Sequence, residues 1–166
     1  MKKSLCLAVL LSALPISAGA GSTPSLGPVV HASEGWINGP LSARALRGKV
    51  VLVDVFTFAC YNCRNVTPNL RALSRQRAGQ VVIVGIHSPE TPYEQNRANV
   101  VTNLRELEIT WPVAIDNSFA LWRAYRVDAW PTQLIFDRHG RWRKTVVGDS
   151  QDDVVNAEIA QLVAEK

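Results

Sequence analysis

Apolar runs and amphipathic stretches alternate along most of this chain. Residues 50–56 and 80–86 are almost entirely apolar and rich in β-branched side chains, which predicts two strands buried on both faces. Apolar residues spaced by three and four predict a helix over about residues 61–76, ended by Gly79. A second helix is predicted over about residues 92–107, with Pro92 in its first turn.

The pattern continues with shorter elements towards the carboxyl end. It predicts three further strands, over residues 112–115, 132–136 and 142–147. Ser118 is expected to cap a helix that follows the first of them, and Ser150 or Asp152 to cap a final helix. Strands that alternate with helices and end in a hairpin predict an α/β fold, with a mixed sheet and helices on both faces. In such sheets, ligands bind beyond the carboxyl ends of the parallel strands.

The first residues have the pattern of a secretory signal. Lys2 and Lys3 precede an apolar stretch over residues 5–14, and small residues follow at Ala18 and Ala20. The apolar stretch is shorter than the ~20 residues that a membrane span requires. We therefore expect cleavage after Ala20, with Ala18 as the alternative site.

This interpretation divides the chain into three parts: a signal peptide over residues 1–20, a flexible lead-in over 21–35 and one domain over 36–166. The lead-in is rich in Gly, Ser and Pro. The composition, 47% hydrophobic and 19% charged, is that of a globular chain and not of a disordered one.

The charge distribution argues against a nucleic-acid partner. The formal net charge is +4, and it falls to +2 when the two lysines of the signal segment leave. The remaining basic residues are scattered, without a run of five or six. We therefore expect no nucleic acid among the partners.

The cysteines carry the most specific chemical signal. Of three cysteines, Cys6 belongs to the signal segment, which leaves the pair Cys60 and Cys63 in a chain expected to enter an oxidising compartment. A disulfide between them would close a very short loop and stabilise the fold little, because the entropic gain grows with loop length. The pair therefore indicates redox chemistry.

The position of the pair at the start of a helix assigns a role to each thiol. Unsatisfied N–H groups and the helix dipole stabilise a thiolate at the first cysteine. Cys60 is therefore expected to be the nucleophile, and Cys63, one turn into the helix, the resolving thiol. The intervening Tyr61 and Asn62 are expected to tune the reduction potential and to contact the substrate.

Four other interpretations of the pair stay open at this point. A zinc site would need two more ligands, and the only histidines are His31, His87 and His139. The pair could form a purely structural disulfide. A copper-delivery protein could use the same two thiolates, with His87 as the candidate third ligand. A thiol peroxidase could share the predicted fold, but the chain has no Pro-x-x-x-Thr-x-x-Cys arrangement.

The segment VLVDVFTFACYNCRNVTP resembles the active-site region of thioredoxin-fold proteins. Asp54 stands six residues before the first cysteine and Pro68 five after the second, as in thioredoxin. The resemblance implies that Asp54 is the buried acid that exchanges a proton with the resolving thiol. It also implies that Trp130-Pro131 is the cis-proline motif of the family, with Trp130 offering backbone groups to an extended substrate.

A longer interval between Cys63 and Pro131 refines the resemblance. The surplus of about 25 residues, from about Ser88 to Trp111, is similar to the insert of exported TlpA/ResA/DsbE-like reductases, and VIVGIHSPE resembles the thioredoxin-like domain of DipZ-type proteins. By position, Glu90 matches a carboxylate near the disulfide in the ResA-like group. Ala59 replaces the tryptophan that usually precedes the first cysteine.

The resemblance implies a thiol–disulfide oxidoreductase outside the cytoplasm, in a periplasmic or similar compartment. Its partners would be protein disulfides or dithiols, and its electrons would come from a membrane-embedded dithiol protein. No cofactor or metal is implied, and we expect a monomer that acts as a reductant.

Overall fold

The computed structural model describes residues 23–165, which form one mixed sheet with helices on both sides. Its strands are β1 (Trp36–Ile37), β2 (Val50–Phe56), β3 (Val81–His87), β4 (Val113–Ile115), β5 (Thr132–Phe136) and β6 (Trp142–Val147). Its helices are α1 (Gly27–Val30), α2 (Ala43–Leu46), α3 (Tyr61–Gln76), α4 (Pro92–Gln95), α5 (Arg97–Glu106), α6 (Ala120–Ala124) and α7 (Asp152–Ala164). The expected signal segment, residues 1–20, lies outside the described residues.

Strand β2 lies at the centre of the sheet, whose order is β1-β4-β3-β2-β5-β6. It pairs in parallel with β3 and antiparallel with β5, while β3 and β4 are also parallel. All seven residues of β2 are buried. The predicted α/β class, the mixed sheet and the double burial of this strand are therefore confirmed.

Each face of the sheet is covered by a separate set of helices. On one face, Leu52 and Ile135 belong to an apolar cluster with residues of α3, α5 and α7. On the other face, Val53 and Leu134 belong to a cluster with residues of α1, α2 and α6. Because neighbouring strand residues point to opposite faces, this alternation shows that Asp54, two residues after Leu52, lies on the α3 side.

The position of α3 follows from the end of β2. The strand ends at Phe56, a short loop of residues 57–59 follows, and α3 begins immediately after Cys60. Pro68 lies within α3, and the helix continues past it to Gln76. The cysteine pair thus lies at the carboxyl end of a central parallel strand, where the sequence predicts the chemistry.

The predicted helix over residues 92–107 is divided in two. Asn96 has an extended backbone, with φ −71° and ψ 115°, and its side chain accepts hydrogen bonds from the N–H groups of Ala98 and Asn99. It therefore ends α4 and caps α5. Both helices lie in the crossover between β3 and β4, within the segment predicted as an insert.

Two predicted helix caps are wrong. The buried carboxylate of Asp116, and not Ser118, accepts hydrogen bonds from the N–H groups of Leu121 and Trp122 at the start of α6, at 2.8 and 2.9 Å. Ser118 instead donates its hydroxyl to Glu34, which draws it away from the helix. At the start of α7, Gln151 holds the cap position without a side-chain hydrogen bond.

The segment before β1 is more ordered than the predicted flexible lead-in. It contains α1, in which Val29 is completely buried within the cluster that covers the α6 face of the sheet. The N–H group of Val29 donates to the phenol of Tyr125 at 3.2 Å. Contacts so distant in sequence leave no local pattern, which explains why composition alone indicated flexibility.

Within residues 23–165, no helix has both the length and the apolar character needed to span a membrane.

Candidate active site

The two cysteines lie at the amino terminus of α3 in different environments. Cys60 is partly exposed at the cap position, and its sulfur accepts a hydrogen bond from the N–H group of Cys63 at 3.3 Å. Cys63 is only 3% exposed, and both thiols are free. Burial, together with the neighbouring Cys60, raises the pKa of the Cys63 thiol far above its ordinary value. The partly exposed Cys60 can therefore meet a partner while the buried thiol of Cys63 stays protonated.

Asp54 is buried on the same face of the sheet as Cys63. It lies between Gly85 of β3 and Gln133 of β5, and it is 3% exposed. Burial raises its pKa to about 7, an effect that the facing Gln133 partly offsets. Among residues 23–165, its Oδ1 atom has no hydrogen-bond partner. The carboxyl group also contributes, less than burial does, to the raised pKa of Cys63.

The Trp130–Pro131 peptide bond is cis, as the resemblance implies. The carbonyl oxygen of Pro131 accepts a hydrogen bond from the N–H group of Gly148 at 2.8 Å. The Trp130 indole donates to the carbonyl oxygen of Ser88 at 3.0 Å and packs against Trp122, with ring centroids 4.3 Å apart. Trp130 also packs, like Cys60, against the apolar cluster on the α3 side of the sheet.

Tyr61 and Asn62 are both exposed in the first turn of α3. The Tyr61 side chain is 76% exposed directly beside Cys60, a large value for an aromatic residue. Nothing in its surroundings within residues 23–165 buries it, so the ring is available to an approaching partner.

The carboxylate next to the active-site loop belongs to Glu94 and not to Glu90. Glu90 is exposed, and within residues 23–165 its side chain makes no hydrogen bond. Glu94 is completely buried, and it accepts hydrogen bonds from the Thr57 hydroxyl and from the N–H group of Ala59. Burial alone would raise the pKa of Glu94, but hydrogen bonds from Thr57 and Thr91 outweigh it and hold the pKa below its ordinary value.

One sequence signal for Glu94 was available. Thr91 and Glu94 form the Thr-x-x-Glu capping box of α4, a pattern that marks a helix start. The pattern gives no indication that the same carboxylate reaches a loop 35 residues earlier in the chain.

His87, the candidate third ligand for copper, is directed elsewhere. It is completely buried at the end of β3, stacked on Phe58 with ring centroids 5.4 Å apart. Its Nε2 atom lies 3.3 Å from the Thr57 hydroxyl oxygen. Burial lowers its pKa to about 4. Among residues 23–165, no three His, Cys, Asp or Glu side chains are grouped in a way that could hold a metal ion.

Comparison with known protein families identifies the fold. The sequence model of a family described as thioredoxin-like matches residues 48–142, which include both cysteines and the cis-proline. The chain belongs to the thioredoxin-like family.

Named relatives agree with this assignment. DipZ of Mycobacterium tuberculosis is 31% identical over 154 residues, which are 89% of this chain but only 22% of DipZ. Thiol-disulfide oxidoreductase YkuV of Bacillus subtilis is 23% identical over 139 residues, 83% of this chain and 94% of YkuV. The chain thus spans about a fifth of the length of DipZ and nearly all of YkuV.

Solved structures show the same fold. A thiol-disulfide isomerase from Corynebacterium glutamicum superimposes with a TM-score of 0.72 and 28% identity, over 80% of this chain and 93% of that one. A protein described as a DsbE-type thiol:disulfide interchange protein from Chlorobium tepidum gives a TM-score of 0.66 at 20% identity. The resemblance to thioredoxin-like proteins, the DipZ type among them, is confirmed. The chain is a thioredoxin-like protein with the Cys-x-x-Cys pair of a thiol–disulfide oxidoreductase.

Proposed function

We propose that this chain acts outside the cytoplasm and reduces disulfides of protein substrates through Cys60 and Cys63. The observation that carries the proposal is the asymmetry of the pair: a partly exposed cysteine at a helix amino terminus and a buried thiol one turn later. The names of YkuV and of the Corynebacterium glutamicum isomerase describe thiol–disulfide chemistry in relatives of this chain.

The proposed reaction has two exchange steps. The Cys60 thiolate attacks one sulfur of a substrate disulfide, forms a mixed disulfide and releases the other substrate sulfur as a thiolate, which takes up a proton. Cys63 then loses its proton to Asp54 and attacks the Cys60 sulfur. The Cys60–Cys63 disulfide forms, and the second substrate sulfur leaves as a thiolate, which takes up a proton. Two electrons have passed to the substrate, and the pair has been oxidised.

Asp54 suits the second step by its position and acidity. Its pKa of about 7 lets it accept a proton from the Cys63 thiol and later release it near neutral pH. We propose Asp54 as the general base of the resolving step.

The residues around Cys60 form the proposed substrate-binding surface. Tyr61 and Asn62 lie exposed beside the nucleophile, and the indole of Trp130 is held by its hydrogen bond to Ser88. We propose that an extended substrate segment pairs with the backbone near Trp130 and Pro131 and contacts Tyr61 and Asn62. A membrane-embedded dithiol protein is the proposed electron donor, and the protein is proposed to act as a monomer.

The reduction potential tests the direction of electron flow. Tyr61 and Asn62 offer only a neutral phenol and an amide near the Cys60 thiolate, and an ionised Asp54 would disfavour a second negative charge. Both effects favour the disulfide, so we expect a potential nearer the ~−270 mV of thioredoxin than the ~−120 mV of DsbA. Equilibration in thiol redox buffers followed by alkylation measures it.

A matched variant tests the reasoning behind that value. Asn62→His places an ionisable donor beside Cys60 and should raise the potential, because it stabilises the thiolate. A wild-type potential above about −160 mV, on the scale of those two reference proteins, would instead make the protein an oxidant.

The amino terminus tests the extracytoplasmic location. Full-length protein expressed in a bacterium should be recovered from the exported fraction with a mature amino terminus near Gly21, as measured by intact mass. Ala20→Arg should block this cleavage, because the subsite requires a small residue. An exported form that retains Met1 would contradict cleavage and indicate a membrane tether.

A further inference from the structure

Glu94 divides its two carboxylate oxygens between two parts of the molecule. Its Oε2 atom accepts hydrogen bonds at the start of α4, from the N–H groups of Glu90 and Thr91 and from the Thr91 hydroxyl. These contacts complete a capping box and would explain a structural residue. Among the described residues, 23–165, its Oε1 atom accepts hydrogen bonds only from the active-site loop, from Thr57 and Ala59.

One of the two groups that donate to Oε1 belongs to the residue directly before the nucleophile. Ala59 is the residue before Cys60, and its N–H group lies 3.4 Å from Oε1 of Glu94. The carbonyl oxygen of Phe58 accepts a hydrogen bond from the Arg64 guanidinium at 2.9 Å. All three loop residues are therefore fixed, and Thr57 and Ala59 are fixed by the same carboxylate.

His87, at the end of β3, extends the hydrogen-bond network of Glu94 and Thr57. The Thr57 hydroxyl has one hydrogen, which it donates to Glu94, so its oxygen is free to accept the Nε2–H of His87 at 3.3 Å. A neutral His87 with hydrogen on Nε2 fits this arrangement, and burial keeps the ring neutral at neutral pH. The resulting chain runs from His87 through Thr57 to Glu94, all three completely buried.

We propose that Glu94 is a positioning residue for thiol–disulfide exchange, which holds the loop before Cys60 in reactive geometry through Thr57 and the Ala59 N–H group. The inference rests on the proposed function and deepens it. Charge-assisted hydrogen bonds to a buried carboxylate are strong and geometrically specific. They restrict the nucleophile to one approach direction, and a small displacement of a reacting atom can lower a rate by as much as about 100-fold.

Thr57 allows a matched test of this link. Thr57→Val removes the hydroxyl with nearly the same shape, while Thr57→Ser keeps it. With insulin as the disulfide substrate, Thr57→Val should lower kcat by about tenfold and change KM by less than about twofold, because binding residues are untouched. Thr57→Ser should retain kcat within about twofold of the wild type.

A second pair of variants separates the positioning role of Glu94 from the general effect of losing one negative charge. Glu94→Gln should lower kcat as Thr57→Val does, because an amide cannot accept on both sides. Glu106→Gln makes the same chemical change at an exposed position on α5 and serves as the control, with an unchanged kcat. Circular dichroism at the assay temperature establishes that each variant is folded.

Hydrogen exchange of the wild-type protein gives a test that needs no variant. The Ala59 N–H group should exchange more slowly than that of Asn62, which lies in the first turn of α3 without a helical acceptor. Equal exchange of the two amides would overturn the proposal. So would wild-type kcat in folded Thr57→Val, or equal losses in Thr57→Val and Thr57→Ser. A wild type that reduces no disulfide would contradict the proposed function itself.

Discussion

Cys63→Ser should accumulate mixed disulfides with substrate proteins, at least about tenfold more than Cys60→Ser. The partly exposed Cys60 at the start of α3 forms the intermolecular bond, and the buried thiol of Cys63 normally breaks it. Removing the buried thiol leaves the intermediate without its resolving group, whereas removing the exposed one prevents the intermediate from forming.

Non-reducing electrophoresis and mass spectrometry of exported proteins would measure the trapping. The double variant, with both cysteines replaced by serine, is the control for unspecific association. The wild type should show few adducts, because Cys63 resolves them. Equal trapping by the two single variants would contradict the assignment of nucleophile and resolving thiol.

The elements predicted correctly are those determined by local pattern. The β-branched run of β2 and the periodicity of α3 each indicate one structure, and the structure has them at residues 50–56 and 61–76. The Cys-x-x-Cys spacing likewise encodes the position of both sulfurs, because three residues are nearly one helical turn.

The features that the sequence did not reveal depend on contacts between distant residues. Asp116 replaces Ser118 as the cap of α6 because the fold brings its carboxylate to the helix start. Val29 is buried because α1 packs against α6, far along the chain.

Glu94 illustrates the same limit within the candidate site. Three residues separate it from Glu90, which precedes α4, whereas Glu94 lies in the first turn of that helix. Only the folded crossover between β3 and β4 determines which carboxylate turns inward to Thr57. Resemblance by position pointed to the exposed residue, because alignment fixes the segment but not the direction of its side chains.

Asp54→Asn should stabilise the protein at pH 8 and slow its turnover. The folded-state pKa of Asp54 is about 7, above the ordinary value of 3.8 that the unfolded chain retains. The folded state therefore resists ionisation. Its stability is fully present below pH 3.8, falls as the pH rises, and levels off above pH 7.

The size of the effect follows from the difference between the two pKa values. About three pKa units correspond to about 4 kcal/mol, so at pH 8 Asp54→Asn should increase the free energy of unfolding by up to about that amount. Near pH 4 the difference should shrink below about 1 kcal/mol, because Asp54 is then protonated in the folded state and only about half ionised in the unfolded state. Urea unfolding at the two pH values measures it.

Asp128→Asn provides the control, since it makes the same chemical change at an exposed position and should alter the free energy of unfolding little at either pH. Insulin reduction by Asp54→Asn should slow by about 100-fold or more at neutral pH, the usual contribution of a general base, with the mixed disulfide accumulating. A stability gain without this loss would make Asp54 a buried charge with no role in exchange. Activity loss with a pH-independent change in stability would mean that the carboxyl is not buried as described. The proposed role of Asp54 requires both the gain in stability at pH 8 and the loss of insulin reduction. Together, the two results would mean that the buried carboxyl lowers the stability of the fold but accepts the proton of Cys63.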